Sequence, residues 1–82
     1  MVEANKLSSV DIWNLNHVYN DVMVLYEEGK YSEAVRMAKK GLLMASNTSD
    51  LSWIYKFDDL LEKTIKTCNT ANKLLEMLSN ND

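Results

Sequence analysis

The sequence predicts an all-α fold, an antiparallel three-helix bundle. Three observations predict it. Proline is absent and glycine occurs only twice in 82 residues, so little interrupts a helix. From Ile12 to Leu78 apolar residues recur at spacings of three and four, and no stretch shows the period-two alternation of a half-buried strand. Two breaks, at Gly29 and at 46-SNTSD-50, divide the chain into three helical stretches of a single domain, 1–82.

The first helix is expected over about 10–28. Ser8 or Ser9 can cap it, and Ser8 with Asp11 makes a capping-box-like S-x-x-D. Ile12, Leu15, Tyr19, Val22 and Tyr26 step by three and four and define one buried face, widened by Val18 and Leu25. Asn14, Asn16, Asn20 and Asp21 lie largely on the wet side. Gly29 ends the helix, because the left-handed conformation common just past a helix costs glycine nothing.

Lys30 and Tyr31 then make the turn, with Ser32 as N-cap and Glu33 in the first turn of a second helix over about 33–46. A turn this short makes the two helices antiparallel. Ala34, Ala38, Gly41 and Ala45 form a narrow stripe of small side chains at ~100° per residue. Val35 and Leu42 flank it on one side, Met37 and Met44 on the other. Arg36, Lys39, Lys40 and Leu43 point away. An apolar arc this wide marks the second helix as the central one.

The third helix is expected over about 50–79, starting near Asp50 or Leu51. Its seam reads as Leu51, Ile54, Phe57, Leu61, Ile65, Cys68, Leu75 and Leu78, with Ala71 and Leu74 beside it. At ~1.5 Å per residue it is ~40 Å long against about 29 Å for the first helix, so its end should overhang, bend or contact something else. The terminal SNND is expected to fray.

Composition narrows the function. A single core in a chain of this size contributes only a few kcal/mol, so the fold needs efficient helix packing or a partner. A net charge of −3, a pI near 5.0 and no basic stripe beyond Arg36, Lys39 and Lys40 argue against nucleic acid as a partner. One cysteine, no secretory pattern in MVEANKLSSVDIW and no membrane-length apolar run predict a soluble, cytoplasmic protein without membrane insertion.

No catalytic, cofactor or metal constellation is legible. His17 has only Asp21 at i+4, the spacing of an ordinary surface pair. Cys68, on the predicted seam, reads as a small buried hydrophobe. One Cys and one His exclude a four-ligand zinc site of the usual kind in a monomer. Asp58, Asp59 and Glu62 are interleaved with Lys63 and Lys66, as on a solvated helix face. Trp53 is expected in the core against the first helix or the loop, whereas Trp13 is open between core and interface.

The run 29-GKYSEAVRMAKKGL-42 resembles the G-x-Y-x-E-A turn of tetratricopeptide repeats, with Gly29, Tyr31, Ala34 and Gly41 at matching spacings. Over residues 12–78 the chain is also similar to the microtubule-interacting and transport domain, a three-helix bundle of about this size. Its 70-TANKLLEML-78 is similar to the run that closes that family's third helix, with Ala71 and Leu74 in place. The resemblance implies a non-catalytic protein-interaction module or adaptor. Such a module binds a partner's peptide or helix in an inter-helix groove, often in membrane-trafficking machinery.

With the groove between helices 2 and 3 as the expected site, the partner-binding residues would be Met37, Lys40 and Met44, or the opposite flank Val35 and Leu42, together with Leu61, Ala71 and Leu74. Methionines suit such a surface because they repack easily. Two alternatives stand beside this reading. One is a self-assembling homodimer that buries the overhanging helix with Met37 and Met44. The other is a small acidic regulator or inhibitor of a basic protein partner.

Overall fold

The structure is a computed structural model, and it describes residues 7–80. It is all-α, with three helices: α1 (Ser9–Glu27), α2 (Tyr31–Thr48) and α3 (Leu51–Ser79). The expectation of no secretory signal bears on residues 1–6, which lie outside the described residues, as do residues 81–82 of the expected frayed tail. Ser79 still belongs to α3, and Asn80 caps it. No helix among the described residues is long and apolar enough to cross a membrane.

α1 begins at the expected cap: the Asp11 amide donates to Ser8 Oγ at 3.1 Å. Its end is a Schellman closure. The amide of Lys30 donates to the Leu25 carbonyl at 2.9 Å and that of Gly29 to the Tyr26 carbonyl at 3.1 Å. Gly29 carries the left-handed φ of 79° that this closure requires.

The expected N-cap at Ser32 is corrected, for α2 starts two residues earlier than expected, at Tyr31, with Lys30 as a cap that makes no side-chain hydrogen bond. The chain leaves the Schellman closure directly into helix, and the Tyr31 ring packs edge-on against Tyr26, centroids 5.5 Å apart. Ser32, inside the first turn, faces Cys68 of α3 instead.

The second connection is also shorter than the polar stretch 46–50 predicts. Ser46, Asn47 and Thr48 stay helical, and the Thr48 hydroxyl donates back to the Ala45 carbonyl at 2.7 Å. Ser49 alone turns the chain, in the left-handed region at φ 62°. Asp50 then caps α3, accepting from the Trp53 amide at 3.1 Å. A non-glycine residue pays for that left-handed φ. Ser49→Gly is therefore expected to stabilise the fold by about 0.5–1 kcal/mol after glycine's extra chain entropy is subtracted, raising Tm by a few degrees in a thermal melt.

α2 lies between the other two helices. Its small residues Ala34, Ala38, Gly41 and Ala45 are buried, as their spacing predicts. They let the flanking helices come close enough for long side chains to meet across them. Tyr19 of α1 meets Phe57 of α3 edge-on at 5.5 Å, and Tyr26 Oη and Thr67 Oγ1 share a hydrogen bond of 2.9 Å. Those contacts show α1 and α3 running in the same direction. Phe57 beside Gly41 and Cys68 beside Ser32 show α2 running the opposite way.

Two predicted seams shift. On α1, Leu15, Val18 and Val22 are buried, but Ile12 is exposed. Ile12 is on the Tyr19 side of α1, seven residues earlier. The corresponding step back from Phe57 reaches Asp50, where α3 begins, so no helix remains to cover it.

On α3 the predicted seam holds at Phe57, which is fully buried, and at Ile54 and Leu61, which pack half-buried against the core, but its register shifts elsewhere. The inward face is Trp53, Phe57, Leu60, Thr64, Thr67 and Ala71, while Leu51 and Ile65 are exposed. Two threonines carry the seam because their hydroxyls are satisfied locally or across to α1. Thr64 Oγ1 donates to the Leu61 carbonyl at 2.9 Å, leaving its methyl for the core, and Thr67 pairs with Tyr26.

Candidate partner-binding surface

The residues expected to bind a partner do not come together in one groove. Met44 lines a hollow between α1 and α2 with Leu7, Leu15 and Thr48. Met37 lines a second hollow farther along the same pair, with Val24, Leu25 and the charged groups of Asp21, Glu33 and Arg36. Val35 lines a shallow groove between α2 and α3 with Ile65 and Cys68. Leu42 and Leu61 are half-buried against the core, and Lys40 projects into solvent. Only Ala71 and Leu74 share a concavity.

This placement resolves the two flanks of α2. Val35 meets α3, and Met37 and Met44 meet α1. The expected combination of Met37 and Met44 with Leu61, Ala71 and Leu74 does not form, because those methionines sit on the far side of α2 from α3. The cause is the stripe of small residues. It faces inward between the neighbours, so each flank is half covered by one of them.

The concavity at Ala71 and Leu74 lies where the α1–α2 turn meets α3. Gly29, Tyr31 and Ser32 form one wall, and Cys68, Ala71, Leu74 and Leu75 form the other. Its volume is about 410 Å³ and none of the residues lining it is charged. Cys68 is not the buried hydrophobe its seam position predicts. It is half-buried at the rim, 3.9 Å from both Ser32 Oγ and Asn72 Nδ2.

Beyond this groove α3 continues with none of the other described elements against it. α3 has 29 residues, against 18 in α2. The 4-3-4-3-4 rhythm of its buried face, from Trp53 to Ala71, runs on through Leu74 and Leu78 after the turn has ended. Leu74, Leu75, Met77 and Leu78 are 56–69% exposed. This overhang was legible as excess helix length. Leu78 already stood on the predicted seam with Phe57; the missed signal was the corrected register, which adds Leu74 in line with Leu60 and Thr67.

The other exposed features are weaker. Trp13 is exposed and stacks flat on His17, centroids 5.1 Å apart, and His17 reaches Asp21 at 3.7 Å. This is an i, i+4 ladder within one helix face, with no nucleophile in it. Trp53 is half-buried beside Phe57, and Lys56 Nζ sits 4.5 Å from the centre of its ring. Among the described residues, no three His, Cys, Asp or Glu side chains are grouped so as to hold a metal ion. Comparison of the chain with protein-family models, with curated proteins and with solved structures found no match.

Proposed function

We propose that the chain is a non-catalytic protein-interaction module that docks a peptide or helix of a partner protein beside the α1–α2 turn and along the exposed end of α3. One observation carries this reading. The apolar stripe of α3 outruns the helices that bury it, leaving four large side chains in solvent next to an uncharged groove. A patch of that kind on a small water-facing domain is the usual mark of an interaction site. The helix-in-groove mode suits it, because such ligands present apolar anchors at the same spacings of three and four. The likeness to trafficking-type domains adds a membrane-trafficking role in the cytoplasm as part of the proposal, and the docking surface stands without it.

The test is selection of helical peptides from a displayed library against the full chain, followed by titration on variants. Leu74→Glu and Ala71→Leu are both expected to weaken the selected peptides at least ~10-fold, about 1.4 kcal/mol, with the helical signal in circular dichroism unchanged. Failure to select any peptide, or equal binding to the wild type and both variants, would overturn the reading.

A further inference from the structure

We propose that the exposed end of α3 is a self-association surface, occupied by the same segment of a second copy of this chain packed about a two-fold axis. The inference rests on the docking surface assigned above and names its partner. A two-fold contact requires one patch that carries both a projection and the recess that receives it.

This patch carries both. Leu78 projects from the exposed end of the helix, and Ala71, a small residue, lines the neighbouring groove with Tyr31. With two α3 ends antiparallel about an axis between Leu74 and Leu75, one step of three residues leads outward from Leu75 to Leu78. The same step leads inward from Leu74 to Ala71, and both cover about 4.5 Å. Leu78 of each copy therefore comes level with Ala71 of the other, large against small, while Leu74 and Leu75 pair at the centre.

Charge permits the contact. Each chain carries a net charge of −3, so two copies repel at most surfaces. Between Asn69 and Asn80 the only charged residues are Lys73 and Glu76. At ~100° per residue both lie about 150° from the centre of the Ala71–Leu74–Leu75–Leu78 stripe, on its far side. The α3 faces that meet hold only apolar and uncharged polar groups, so no charge on α3 opposes the contact.

The area sets the strength of the contact. On the meeting stripe Leu74, Leu75 and Leu78 together expose roughly 300–350 Å². Two such patches face to face bury about 600–700 Å², below the ~1,000 Å² of a stable specific interface. That size predicts a weak, reversible dimer rather than an obligate one.

Sedimentation equilibrium of the full chain from about 1 µM to about 1 mM tests this. The expected result is a concentration-dependent monomer–dimer equilibrium that is lost in Leu74→Glu/Leu78→Glu. Ala71→Leu, which fills the recess without adding charge, is expected to raise the dimer dissociation constant at least ~10-fold while the monomer keeps its helical content. A wild type monomeric at every concentration, or a dimer indifferent to both variants, would overturn the proposal. If the wild type is monomeric but selected peptides still depend on Leu74 and Ala71, self-association alone falls. If the peptides are also indifferent, the docking surface falls with it.

Discussion

Phe57→Ala is expected to cost about 3–5 kcal/mol, the range for removing a buried aromatic ring from a core that cannot collapse around the space. Phe57 is fully buried and is the largest side chain in that condition. It touches all three helices' contributions to the core at one level: Tyr19 of α1 edge-on, Gly41 of α2 at the ring, and Trp53 of α3 at 5.9 Å. Little can refill the space, because the neighbouring α2 positions Ala38 and Ala45 are already small. A chain of this length has a total stability of roughly 4–12 kcal/mol, so the variant should be largely unfolded or melt ~15–30 °C lower. Urea unfolding followed by circular dichroism measures the loss. A shift below about 1 kcal/mol would mean that the ring is not the centre of the core.

Gly41→Ala is expected to destabilise by about 2–3 kcal/mol, although alanine is the better helix former by about 1 kcal/mol. The sign is decided by space. A Cβ on residue 41 would meet the Phe57 ring, with Cδ1 at 2.5 Å and Cζ at 2.7 Å. The ring is itself enclosed and cannot swing into solvent. The cause can be isolated by a double-mutant cycle, because the two positions act through one contact. In a Phe57→Leu background, which removes the ring but leaves most of the core filled, Gly41→Ala should cost much less than in the wild type. Gly29→Ala provides the contrast. A methyl group at Gly29 would have nothing within 4 Å, so the penalty there would come from φ 79° alone. If Gly41→Ala stabilises the wild type, α2 and α3 are not in close contact at Phe57.

These two residues also show how much was legible in advance. Gly41 was placed correctly by its spacing with Ala34, Ala38 and Ala45, since four small residues on one line can only mark a close approach. The partner in that approach was not legible. Nothing in the spacing of α2 says that a phenylalanine sixteen residues on, rather than a residue of α1, would lie over the gap. On α3 the apolar count favoured Leu61, Ile65 and Cys68 over Thr64 and Thr67, and it was misleading. A threonine with its hydroxyl satisfied within its own helix, or by Tyr26, presents a methyl group to the core like any apolar residue. Counting hydrophobic side chains cannot anticipate that.

The candidate site followed the same division. Ala71 and Leu74, both expected at the site, share a groove; Met37 and Met44, expected beside them, lie against α1. The predicted seam already ran through Leu78 but set Ala71 and Leu74 beside it; the corrected register brings both into the buried stripe and its exposed continuation, the surface proposed to dock a partner.

By itself the sequence determined three helices, a serine cap for α1, the start of α3 near Asp50, the left-handed end of α1 at Gly29 and the central place of α2. Each depends on the local chain: backbone hydrogen-bond closure, capping oxygens, and side-chain size at helical spacing. Tertiary structure alone decided where α2 starts and stops, which face of α3 turns inward, which flank of α2 each neighbour takes, and how far α3 projects past the turn. Those outcomes depend on distances between residues far apart in the chain. A hydroxyl finding an acceptor across the helices, or a ring finding a glycine, outweighs the small differences in hydrophobicity that one helix can display.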